Sequence, residues 1–138
     1  MDRSYPKALR TGLRTESLLD ELMVYDLRKK KAHCLNPTAA CVWELADGTR
    51  SPEAIRLVLE ERFGPSADPA VVAYALDQLE RQGLLEPAED GAATPSIVPS
   101  RRQLLLQLGA AAALLPAIVS VSLPSPAFAH SAGPAGAA

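Results

Sequence analysis

Three times in the first 70 residues of this chain a strong helix-capping side chain stands directly before a proline: Asn36-Pro37, Ser51-Pro52 and Asp68-Pro69. Asn, Ser and Asp side chains accept from backbone N–H groups that the first turn of a helix leaves without partners. Proline at the first helical position has no N–H to orphan. Each start has a matching stop, at Asp47-Gly48, Gly64-Pro65 and Gly83, where glycine adopts the left-handed backbone at little cost and proline cannot continue a helix. Three helices of modest length are therefore expected. Ala39, Val42, Trp43 and Ala46 recur at helical spacing in the first. Ile55, Val58, Leu59 and Phe63 line the second, with Glu53, Arg56, Glu60 and Arg62 outside; Val72, Ala75, Leu76 and Leu79 line the third, which runs to Gln82. Trp43, the only tryptophan, reads as a core anchor.

Before the helices the pattern changes to short strands. Residues 21–27, ELMVYDL, carry β-favouring Val24 and Tyr25 near their centre, and residues 32–35, AHCL, are apolar again. Between them Arg28, Lys29, Lys30 and Lys31 read as a solvated hairpin tip that discourages edge pairing. The alternative is a docking patch for an acidic peptide or protein surface. Residues 12–17, GLRTES, are a short first strand or an irregular arm, and residues 84–86 a short closing strand. Residues 1–11 are expected to be a flexible lead-in, since Pro6 forbids an early helix. Two or three short strands followed by three helices make a small α+β domain that reads as winged-helix-like.

Charge divides the chain. After Asp90 only Arg101 and Arg102 are charged, so residues 12–87 form the domain, 88–100 a linker, 101–129 an apolar segment and 130–138 a disordered tail. A net charge of −2 argues against electrostatically driven nucleic-acid binding. A winged-helix DNA-binding regulator remains an alternative, using the third helix and the Arg28 to Lys31 loop. That helix, however, carries Asp77 and Glu80 and no cation before Arg81, and phosphate contacts need cations. Cys34 and Cys41 lack Cys-x-x-Cys spacing and read as reduced, small hydrophobic residues. With His33 and His130 the only histidines, no metal site is expected, and His33 reads as a packed or exposed imidazole rather than a base. No dyad, triad or phosphate loop is visible, so no catalysis and no cofactor are expected.

Val24-Tyr25-Asp26, then LNPTAACVW at residues 35–43, Asp47-Gly48, and LDQLERQGLL at residues 76–85 together resemble the PqqD family. This is the small protein of pyrroloquinoline quinone biosynthesis whose fold defines the RiPP recognition element. The resemblance covers about residues 13–86. It implies a winged-helix-like, non-catalytic domain acting as a peptide chaperone. Such a domain holds the leader of a precursor peptide and presents it to a modifying enzyme, often a radical SAM enzyme. In the family the leader adds as a strand at the sheet edge and lies against the third helix. By position, that edge is Ala32, His33, Cys34 and Leu35, facing the helix of residues 68–82. Alternation puts Ala32 and Cys34 on one face, and His33 and Leu35 on the other. Val71, Tyr74 and Gln78, at i, i+3 and i+7, lie off the inner stripe and are expected to line the groove.

Ser100-Arg101-Arg102-Gln103-Leu104-Leu105 resembles the start of a twin-arginine export signal. An apolar run over residues 104–123 and a small-x-small Ala127-Phe128-Ala129 follow. Roughly 20 uncharged, mostly apolar residues can cross a bilayer as a helix. The expectation is an apolar C-terminal helix serving as a membrane tail, with Arg101 and Arg102 holding the domain on the cytoplasmic side. Pro116, Gly109 and abundant Ala weaken that span. The alternatives are an adaptor tethered or exported through a signal-like segment, and a helix packed on the domain or a partner. The N-terminus has no basic-then-apolar signal, so the domain is expected in the cytoplasm.

Overall fold

In the computed structural model each capped proline begins a helix: α1 (Pro37–Leu45), α2 (Pro52–Phe63) and α3 (Pro69–Arg81). The structure describes residues 5–65, 67–87, 98–109 and 115–124. Asn36 Oδ1 accepts the N–H of Ala39, Ser51 Oγ that of Ala54, and Asp68 Oδ1 that of Ala70. Beyond α3 the chain reverses at Gly83, whose φ of +74° is a left-handed conformation that glycine adopts at little cost.

The helices pack on one face of a four-stranded antiparallel sheet: β1 (Leu13–Leu18), β2 (Glu21–Asp26), β3 (Lys31–Leu35) and β4 (Ile118–Ser122), in the order β1-β2-β3-β4. The basic hairpin tip between β2 and β3 forms because buried Asp26 caps it, Oδ1 accepting from the N–H groups of Arg28 and Lys29, both at 3.1 Å. Leu22, Val24 and Leu35 project from the sheet into a core with Val42, Trp43, Ile55, Leu59, Val72, Ala75, Leu76 and Leu79. Trp43 is the expected anchor. It is 2% exposed, donates from Nε1 to Leu84 O at 2.9 Å, and carries the Arg10 guanidinium 4.4 Å above its ring.

Three expectations change. The lead-in is tied down rather than loose from residue 5. Ala8 is buried, donates its N–H to Ala46 O at 2.7 Å and bridges Leu85, so the closing strand expected at residues 84–86 is reduced to that bridge. The apolar segment is not one helix. It begins as α4 (Arg101–Leu108), capped reciprocally by Ser100 and Gln103, ends at Gly109, and returns past Pro116 as β4. Glycine and proline interrupt the helical ladder, and the β-branched alternation of residues 118–122 suits a pleated edge. No helix among the described residues is long and apolar enough to cross a membrane. The third change concerns β3, which is not an edge. The expected small-x-small site at Ala127 to Ala129, the tail of residues 130–138 and most of the linker, residues 88–97, lie outside the described residues.

Candidate functional site

β3 presents one row of backbone groups to β2 and the other to β4. Pairing with β2 matches Leu22 to Leu35 and Val24 to His33; pairing with β4 matches Leu35 to Ile118, His33 to Ser120 and Lys31 to Ser122. Asn36 N–H donates to Ala117 O at 3.0 Å, and Leu123 N–H to Lys30 O at 2.8 Å. In an antiparallel ladder bonded pairs alternate. The intervening bonded pairs are therefore Cys34 with Val119 and Ala32 with Val121, and the N–H groups of Ile118, Ser120 and Ser122 point to the open side.

This is the strand on which the family resemblance places strand addition, and the alternation of its side chains is as expected. His33 and Leu35 face the helices and are fully buried, while Ala32 and Cys34 share the outer face, the first buried and the second half-buried. The chain's own residues 118–122 occupy the flank expected to be open. Val71 and Tyr74, expected to line a groove, are buried with Leu104 and Leu115 in a second apolar cluster separate from the main core. Gln78 is half-buried on the same helix. The space between β3 and α3 is thus filled by α4 and β4.

Polar contacts fix the filling segment in register. Ser120 Oγ lies 2.6 Å from His33 Nδ1 and donates to Gln82 Oε1 at 3.0 Å. With the hydroxyl proton given to Gln82, Nδ1 is the donor to Oγ. Burial lowers the pKa of His33 below 6.5; the Asp26 carboxylate opposes the shift, and Lys31 and Lys29 add to it. His33 Nε2 and Asp26 Oδ2 are buried with no hydrogen-bond partner among the described residues. Asn36 acts twice: its Oδ1 caps α1 and accepts Ala117 N–H at 3.1 Å, and its Nδ2 donates to Leu115 O at 2.8 Å.

The remaining candidates lie around this core. Arg28, Lys29, Lys30 and Lys31 are exposed at the β2–β3 tip, beside the end of β4. Arg101 and Arg102 are exposed at the start of α4. The Cys34 thiol donates to Glu21 Oε1 at 3.3 Å, and burial together with that carboxylate pushes its pKa up. Burial also raises the Cys41 thiol, against the neighbouring Arg62. Both cysteines are free. Sequence reasoning missed Gln82, Leu104, Leu115 and Ser120. The usable signal was Ile118-Val119-Ser120-Val121-Ser122, a β-branched alternation between Pro116 and Pro124.

The model of the family described as coenzyme PQQ synthesis protein D (PqqD) matches residues 21–85. Comparison with curated proteins and with solved structures gives no match.

Proposed function

We propose that this chain, whose residues 21–85 carry a PqqD-family domain, is a non-catalytic accessory protein that binds an extended peptide along β3 and presents it to a modifying enzyme. The bound segment is the leader of a precursor peptide. A radical SAM enzyme is the partner class that the family resemblance suggests.

One observation carries this reading: the β3 flank accepts an extended segment as an added strand, as residues 118–122 do here. Backbone N–H and C=O groups supply affinity with little demand on sequence, and side-chain pockets then choose the partner. The inner wall of this seat offers His33 and Gln82 as polar readers and Val71 with Tyr74 as an apolar floor. The DNA-binding alternative would need the outer face of α3, whose Val71 and Tyr74 are packed under the C-terminal segment.

The test is an amide chemical-shift titration of the full chain with short precursor peptides encoded beside its gene. Shifts centred on Ala32, Cys34, Val71 and Gln82 are expected. Shifts confined to β1, or to the outer faces of α1 and α2, would sink the site.

A further inference from the structure

The seat between β3 and α3 already holds a ligand, and that ligand belongs to the same chain. We infer that residues 115–123 are the chain's own occupant of this seat, keyed by a hydroxyl at position 120, and that a peptide from another molecule enters by displacing them. What enters from outside rests on the proposed function; the internal occupant does not.

Three features mark the segment as a fitted ligand rather than an incidental cover. Its backbone runs in one uninterrupted register from Ala117 opposite Asn36 to Leu123 opposite Lys30. Its inner face matches the wall position by position: Ile118 against Leu35, and Ser120 between His33 Nδ1 and Gln82 Oε1. Upstream, Leu115 is 5% exposed against Val71 and Tyr74, and its carbonyl is held by Asn36. The outward side chains carry no such fit, Val119 being 64% and Val121 54% exposed.

The same contacts define what else the seat takes. An apolar side chain at the position of Ser120 would leave two polar groups desolvated and unpaired, which costs more than the bonds themselves contribute. The ligand class is an extended peptide that presents a branched apolar residue, any residue, then serine or threonine, with leucine three positions before the branched residue.

Proline substitutions in the full-length protein test this directly. The Val121 N–H faces β3, so Val121→Pro removes a ladder bond while altering a half-exposed side chain. The Ser122 N–H faces outward, so Ser122→Pro is the matched control. The probe is a fluorescein-labelled synthetic peptide of residues 114–124, followed by anisotropy. V121P should bind it about tenfold or more tighter than the wild type and S122P, because the tethered competitor is lost. A probe with alanine for Ser120 should bind V121P about thirtyfold more weakly, since both His33 and Gln82 lose their partner.

Equal affinity for wild type and V121P would overturn the inference, as would equal binding of the two probes. Sedimentation showing the segment exchanged between two copies would also overturn it. If V121P loses amide protection in β1 and β2, Leu104→Ala replaces it as the releasing variant. If V121P takes the self-derived probe but no foreign precursor peptide, this inference stands and the proposed function falls. A foreign peptide that binds wild type and V121P alike does the reverse, overturning the inference while the proposed function stands.

Discussion

Replacing Leu104 by alanine separates docking of the C-terminal segment from folding of the rest of the chain. Leu104 is fully buried, yet its neighbours are Val71, Tyr74 and Leu115 and not the residues around Trp43. Truncating a fully buried leucine costs about 2–5 kcal/mol. The lower half of that range applies, because α4 has only eight residues and can settle toward the gap. At about 2.7 kcal/mol the open form of the docked segment becomes about 100-fold more populated. The readout is native-state hydrogen exchange at the Val119 and Val121 amides, whose N–H groups face β3. Both should exchange about 100-fold faster while amides of β2 and α1 keep their protection. Leu106, on the same helix but 78% exposed, is the control, and its alanine variant should stay within about 0.5 kcal/mol of wild type. Two results would refute the reasoning. If Val119 and Val121 keep wild-type rates, the Leu104 cluster does not hold the segment. If β2 and α1 lose protection equally, segment and domain form one cooperative unit and there is no separate docking step.

Asn36→Ala removes both the α1 cap and the side-chain bonds to Leu115 and Ala117; a loss of roughly 2–3 kcal/mol is expected in urea unfolding, above the ~1 kcal/mol of a cap alone. Trp43→Phe withdraws the donor from Leu84 O and should cost about 1–2 kcal/mol by the same measurement. His33 gives a pH signature: its folded pKa lies below 6.5 because burial disfavours the cation, with Asp26 opposing and Lys31 and Lys29 assisting. Above 6.5 both folded and unfolded states hold neutral His33, so it contributes no slope there. As pH falls through 6.5 the unfolded state takes up a proton first, and stability should drop until the depressed folded value is passed. Thermal melts of wild type and His33→Gln between pH 7.5 and about 5 compare the two; an equal slope in both would dismiss the assignment.

How much of this was legible depended on whether the signal was local. Helix starts at Pro37, Pro52 and Pro69 were readable because capping is settled by two adjacent residues. The β2–β3 hairpin was readable for a similar reason, a charged tip between β-favouring runs. β1 was uncertain because Arg14 to Leu18 are exposed, so no apolar alternation announces a buried face. The candidate seat was half visible: Ala32 to Leu35 carried a family resemblance, but their occupant lies more than 80 positions away, as in His33 to Ser120. In residues 104–123 low charge and apolar character suit a spanning segment, and the one local sign of a short helix followed by a strand is the β-branched run of residues 118–122. Pro116 and Pro124 as strand boundaries would have shifted that choice. Gln82 went unread for a simpler reason: a polar residue at a helix end is usually solvated.

The covalent link between domain and occupant sets the terms for any outside peptide. A tethered competitor acts at an effective concentration on the order of millimolar. If it bound with micromolar intrinsic affinity, it would weaken an outside peptide of equal quality about 1,000-fold. Function with an outside peptide therefore requires a weakly held occupant, and α4, whose Leu104 shares a cluster with Leu115 of that occupant, has the marks of weak docking. Arg101 and Arg102 stand in its first turn, where the helix dipole disfavours cations by about 0.3–1 kcal/mol each. Its Leu105 and Leu106 remain exposed, at 41% and 78%. Residues that strengthen this helix should close the seat. Replacing Arg101 and Arg102 by glutamate reverses the dipole interaction, so the double variant should dock its own segment more tightly and take up outside peptides less readily. Greater uptake in that variant would show that the arginines assist peptide entry by some route other than loosening α4.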